Sequence, residues 1–266
     1  MFEILSYEFM QRALLGGLLI GVATSLIGVI LVLKRLSLLG DSFAHASFGG
    51  VALGFVTGFN PLITAIGFVT LASLGIDRLV NRVKIYGESA IALVLSFGMA
   101  FALILIGIAD KMDVNIFSYL FGSLLTISML DIYITLGVLI LISIFYYFYY
   151  KTLFYSAFNN DIAQVRNKNT QIVNKIFIIL SAITIVISIR AVGILLISAL
   201  IVVPALIGLR LANSFKTTIL IAAIASVLGI YLGIFAAYFF DLPAGGTIVM
   251  SLLCLFILSL LVKKNN

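Results

Sequence analysis

Nine apolar runs, at about 13–33, 43–59, 61–76, 88–109, 131–150, 176–189, 191–209, 217–240 and 245–262, follow one another along 266 residues. Charged residues, glycines, prolines or asparagines break them apart, and most runs approach the roughly 20 residues that an α-helix needs to cross a bilayer. In hydrocarbon every backbone N–H and C=O must be satisfied within the protein, so such a succession folds as helices. The expected fold is an all-α, polytopic membrane helix bundle, a single transmembrane domain over 1–266 with about nine spans. The breaks at Asn60-Pro61 and at Arg190 are the weakest, and the count runs from eight to ten according to how they are read. A chain that is 63% hydrophobic and 10% charged cannot be a soluble domain with one core. The first run follows Glu3 and Glu8 in place of a basic region and reads as a retained span.

Charge fixes the direction of threading. Counting back through nine spans from Lys263 and Lys264, one side receives Lys34, Arg35, Arg78, Arg82, Lys84, Lys151, Arg166, Lys168, Lys175, Arg210, Lys216, Lys263 and Lys264, which is 13 of the 16 basic residues. Only Arg12, Lys111 and Arg190 fall on the other side. Cytoplasmic loops carry the excess of Lys and Arg, so the N-terminus is expected outside and the C-terminus in the cytoplasm. One helix over 176–209 would reverse this parity, so a break near Arg190 is required. The net charge of +6 is spread singly between apolar runs and forms no stripe for nucleic acid. Cys254 is the one cysteine, which excludes an intrachain disulfide or a cysteine-rich metal cluster.

Little in the chain carries chemistry. There is no ladder of ionisable residues for a proton relay, and no GxxxxGK[ST] loop to cradle ATP. The exception is Asp41 with His45, the one histidine. Four residues apart on a helix, their Cβ atoms lie about 6 Å from each other on one face. Carboxylate and imidazole together suit a borderline divalent cation, and an ionisable pair in an apolar segment is a candidate transport site. The same residues also suit an imidazole bonded to a neighbouring helix and an aspartate capping its own. Further on, Pro204 is expected to interrupt an apolar helix, and an amphipathic stretch with Arg210 and Lys216 follows, either a short helix that docks on a partner or an ordinary basic loop. The apolar segment 116–125 reads as interfacial or re-entrant. Tyr146, Tyr147, Tyr149 and Tyr150 beside Lys151 read as an interfacial anchor.

Three motifs, in this order and spacing, resemble the permease subunit of bacterial ABC-type zinc and manganese importers. They are GDSFAHASFGGVALG at 40–54, YLFGSLL at 119–125, and the stretch from AVGILLISALIVVP at 191–204 to DLPAGG at 241–246. Within that family the chain is most similar to the zinc-uptake members, through AHAS at 44–47 followed by Asn60-Pro61. It departs from the family at Ser123, where an acid is common, and at Ala205, Leu206 and Ile207, where small residues are common.

The resemblance implies a non-catalytic, membrane-spanning permease of the bacterial plasma (inner) membrane. It implies a permease homodimer, two cytoplasmic ATP-binding subunits and an extracytoplasmic metal-binding protein. No bound cofactor is implied; Zn2+ is the cargo, with Mn2+ or Fe2+ as the alternative in the same machine. A stand-alone metal channel or ion-coupled carrier is the alternative of another class. Asp41 and His45 become the expected metal-contacting or gating residues. Glu88, where the family tends to have an acid, is a third candidate. Leu206, Arg210, Leu211, Asn213, Ser214 and Lys216 become the expected ATPase-coupling residues. Charge bias sets Asp41 near the inner surface, and a re-entrant 36–40 would carry the pair deeper.

Overall fold

The computed structural model describes residues 6–109, 120, 122 and 127–261. Among them are ten helices and no strand: α1 Glu8–Leu33, α2 Leu39–Thr57, α3 Pro61–Asn81, α4 Gly87–Ala109, α5 Met129–Phe158, α6 Asn160–Arg166, α7 Thr170–Val192, α8 Ile197–Leu211, α9 Phe215–Phe240 and α10 Ala244–Leu261. Each of the nine apolar runs has its helix. Seven are long and apolar enough to cross a membrane. The other two are α2, which carries Asp41 and His45, and α8, which has only 15 residues. Both are largely buried among the other helices, so neither needs a lipid-facing surface.

The two weak breaks are real, and local chemistry makes them. Gly58 takes φ 75° to end α2, Pro61 opens α3, and the Asn60 side chain accepts from the N–H groups of Leu62 and Ile63 at 2.9 and 3.4 Å. At the other break α7 stops at Val192, Gly193 takes φ 91°, and α8 starts at Ile197. Pro204, by contrast, lies buried inside α8 and does not interrupt it. The helix runs on to Leu211, as proline allows when neighbouring helices enclose the backbone. The short α6 was not legible as an apolar run; its signal is Asn159, whose side chain caps it.

Contacts between helix ends sort the bundle into two ends. Lys34 Nζ donates to Asn174 Oδ1 at 2.6 Å, Lys175 lies 3.7 Å from Asp77, and Arg210 donates to the Ser259 carbonyl at 3.0 Å. These join the end of α1 to the start of α7, the start of α7 to the end of α3, and the end of α8 to the end of α10. The described basic residues expected on one side therefore gather at one end. Two of the three exceptions are paired at the other end, Arg12 with Glu8 and Arg190 with Asp131. The third, Lys111, and the C-terminal Lys263 and Lys264 lie outside the described residues.

Most of α1 and α7 is buried, and the other helices wrap around them. Lipid removes the hydrophobic drive between helices, so close backbone approach at small residues holds them together. Against α9, Gly21 faces Ser226 and Ile230, and Ser25 Oγ donates to the Ala222 carbonyl at 3.2 Å. Tyr146 turns inward and donates to the Leu26 carbonyl, so it ties α5 to α1, while Tyr147 stays exposed as an interfacial residue.

The tightest contact near Asp41 and His45 is between α2 and α4. A Cβ on Gly98 would lie 2.5 Å from Ala46 Cα, with no flexible side chain to yield. Gly98→Ala is expected to lower stability by about 1–3 kcal/mol, read as a fall in thermal midpoint in detergent. Gly75→Ala, on a helical glycine with nothing within 4 Å, is the control and should cost nothing.

Candidate functional site

The position of Asp41 and His45 is set by how α1 ends. Lys34 caps the helix, Arg35 takes φ 59°, Arg35 N–H donates to the Val32 carbonyl at 3.0 Å and Leu36 N–H to that of Leu31 at 2.8 Å. This is the paired closure of a Schellman motif, and it turns the chain back into the bundle. Gly40 then rests on α8: a Cβ there would lie 3.3 Å from Ile201 Cδ1, and one on Gly28 would lie 2.3 Å from the Ile201 carbonyl oxygen. Ile201 stands ten residues before the end of α8 and Gly28 five before the end of α1. At 1.5 Å per residue, α2 begins about 8 to 15 Å inside the basic end. Residues 36–40 thus lead back into the bundle, and His45 lies one turn farther from the basic end than Asp41.

From Leu39 to Ala52 every residue is buried except Asp41 and His45, which are half-buried. Helix α2 is gripped on its other faces by α3, where Gly50 meets Ala65, and by α4, where Ser42 Oγ donates to the Ile91 carbonyl at 3.0 Å. The pair thus occupies the one strip of α2 between Leu39 and Ala52 that is not fully buried. Asp41 is not a cap: the N-cap position is Leu38, without a side-chain bond. Among the described residues Asp41 makes no ion pair or hydrogen bond, and His45 Nδ1 is buried with no partner. Two metal-competent groups are held, inside an apolar bundle, free of structural duty.

Glu88 lies in the first turn of α4, exposed. Helices α2 and α4 run side by side, with Ser42 beside Ile91 and Gly49 beside Gly98, so Glu88 falls toward the basic end relative to the pair. Among the described residues no three His, Cys, Asp or Glu side chains gather as a metal site. The described residues of one chain therefore offer the pair and no third ligand beside it.

The second candidate stretch is the tight α8–α9 turn. Helix α8 ends at Leu211, Ala212 is its C-cap, and a reciprocal box between Ser214 and Thr217 opens α9. Asn213, Ser214 and Lys216 are exposed at the tip, whereas Leu206, Arg210 and Leu211 are partly buried against the bundle. Arg210 donates through Nε to the Ser259 carbonyl and through its terminal nitrogen to that of Leu260, both at 3.0 Å, so it caps the end of α10. Sequence reasoning missed this bond, because the two helices are 50 residues apart. Beside the turn lies a groove of about 750 Å3 lined by Tyr150, Phe154, Arg166 and Phe215. Of the segment 116–125 only Leu120 and Gly122 are among the described residues; Ser123, Asp110 and Asp113 lie outside them.

Residues 6–263 match the description "ABC 3 transport family". The chain belongs to this family. It is 33% identical over 260 residues to "Manganese import system permease protein ScaB" of Streptococcus gordonii, covering 98% of this chain and 93% of that one. It is 30% identical over 260 residues to "High-affinity zinc uptake system membrane protein ZnuB" of Haemophilus influenzae, covering 97% and 99%. The solved structure "PsaBC from Streptococcus pneumoniae in complex with Fab" superimposes with a TM-score of 0.88 at 30% identity, over 99% of this chain and 95% of that one. Like other members of the ABC 3 family, the chain is a multi-pass membrane protein.

Arg210→Glu should lower the thermal midpoint of the chain by itself, since two charge-assisted bonds to α10 are lost, each worth roughly 1.5–3 kcal/mol. Lys216→Glu, at the exposed tip, should leave the midpoint unchanged. An unchanged midpoint for Arg210→Glu would show that the cap contributes nothing.

Proposed function

We propose that this chain is the membrane-spanning permease of an ATP-driven importer for a divalent metal, Zn2+ or Mn2+. The observation that carries the proposal is that Asp41 and His45, uncommitted among the described residues, are the two half-buried positions in the otherwise buried stretch Leu39 to Ala52, inside an apolar bundle. A transported ion must be bound well enough to enter and loosely enough to leave, so a closed four-ligand cage within one chain would be the wrong design. Two copies facing each other along this strip supply two imidazoles and two carboxylates, and a homodimer is the proposed unit. Glu88 is proposed as a further ligand on the path toward the basic end.

The basic end faces the cytoplasm on the positive-inside rule, which puts the N-terminus outside, the C-terminus inside and the protein in a bacterial inner membrane. There the α8–α9 turn, with Leu206, Arg210, Leu211, Asn213, Ser214 and Lys216, seats on each of two ATP-binding subunits. ATP hydrolysis belongs to those subunits, and an external metal-binding protein delivers the ion. The whole chain acts as one permease domain. Imidazole suits zinc and carboxylate suits manganese, and the relatives' names carry both, so the preference for zinc drawn from His45 and from AHAS followed by Asn60-Pro61 is not favoured over manganese.

The test is uptake of radioactive Zn2+ and of Mn2+ into liposomes holding the purified permease with its ATPase. His45→Ala and Asp41→Ala should each cut ATP-driven uptake by at least about tenfold to a hundredfold while membrane insertion is unchanged. Undiminished uptake by both variants would reduce the pair to packing residues, and uptake without the ATPase would overturn the importer in favour of a stand-alone channel or carrier. In co-purification, Asn213→Glu with Lys216→Glu should release the ATPase; retained association would remove the turn from the interface.

A further inference from the structure

We infer that an anionic phospholipid binds in a cleft between α3 and α7 at the basic end, its phosphate held by Arg78, Arg82 and Lys175. The cleft encloses about 470 Å3, with Arg78 and Arg82 on one wall and Gln171 and Lys175 on the other. Asp77 is its one acid, and Lys175 lies 3.7 Å from it. A second cavity, of about 640 Å3, shares Asp77 and Gln171 and brings in Lys34 and Arg35. Five cationic side chains thus line the two cavities that share Asp77.

Arg78 and Arg82 are exposed and, among the described residues, make no ion pair or hydrogen bond through their side chains. Like charges four apart on a helix repel, and Asp77, the acid of the cleft, lies 3.7 Å from Lys175 and so leaves the two arginines uncompensated. A phosphodiester relieves that repulsion and matches the arginine fork, which grips phosphate through two parallel bonds. Basic clefts between spanning helices are suited to anionic headgroups for this reason.

The α3 face leading to the cleft selects a lipid over a soluble anion. Leu71, Leu74, Arg78 and Arg82 succeed one another at intervals of three and four, so they share one face, and it passes from apolar to cationic toward the basic end. Leu71 is 68% exposed, and across the cleft Ile172 is 59% exposed. An acyl chain beside Leu71 and Leu74 with its phosphate at Arg78 and Arg82 fits that order. The cleft shares no residue with the groove beside the α8–α9 turn, so it is separate from the proposed ATPase contact.

The test is native mass spectrometry of the full chain taken from vesicles of equal phosphatidylglycerol and phosphatidylcholine. The wild type should retain phosphatidylglycerol in preference to phosphatidylcholine. Arg78→Gln with Arg82→Gln should lower that retention by about tenfold to thirtyfold, from the attraction each basic side chain gives an anionic lipid. Lys151→Gln, a basic residue at the same end outside the cleft, should keep it. Equal retention of both lipids, undiminished retention in the double variant, or an equal loss in Lys151→Gln would each overturn the site. Loss of ATPase co-purification by the double variant with phosphatidylglycerol still bound would make the cleft a protein contact and overturn it too. A thermal midpoint is read on every variant, and Arg82→Gln alone serves where the double variant does not fold.

Discussion

Close backbone packing, and not the expulsion of apolar surface from water, holds this bundle together, because lipid tails are as apolar as the side chains they replace. The contacts that matter lie where a glycine lets one helix touch the main chain of another: Gly28 on Ile201, Gly98 on Ala46, Gly208 on Thr218. Two of these bear on the candidate metal path. Gly28 brings α8 against α1 and so makes the floor on which Gly40 rests, while Gly98 locks α2 at the level of His45. The placement of two polar side chains thus depends on glycines that carry no chemistry.

Given that frame, what the polar groups do becomes informative. Many buried hydroxyls return to their own helices, as Thr184 does to the Leu180 carbonyl at 2.8 Å, and Ser42 reaches the Ile91 carbonyl of α4. Arg190 finds Asp131, and Arg210 caps α10. Against this economy, among the described residues, His45 leaves a buried nitrogen unbonded and the Asp41 carboxylate accepts no hydrogen bond. An uncompensated polar group inside a membrane protein costs stability, and such a cost is sustained where a ligand or a partner completes the group.

Much of the fold was legible because hydrocarbon allows few solutions. The nine runs became nine helices, and the required break near Arg190 appeared at Gly193. Helix ends were less legible. Helix α5 continues to Phe158, well beyond its apolar run, because a helix stops where its cap stands, here Asn159, and not where the bilayer ends. Pro204 misled for the converse reason: a breaker in water is tolerated where neighbours enclose the backbone. Of the candidate residues, the sharing of one face by Asp41 and His45 could be read from spacing. The role of Arg210 as a cap could not, since its acceptors lie on a helix distant in sequence.

The sequence by itself determined that the chain is a polytopic helix bundle with its basic residues at one end, and it singled out Asp41 and His45 as two groups on one helix face whose chemistry suits a divalent cation. Periodicity, length and charge are local properties, so they can be read without coordinates. Only the tertiary structure decided how far from the basic end that pair lies, that it is half-buried in the otherwise buried stretch Leu39 to Ala52, and that among the described residues the Asp41 carboxylate and His45 Nδ1 have no partner. Those facts are set by a Schellman turn, two glycine contacts and the packing of three other helices, and no local property of residues 40–54 contains them.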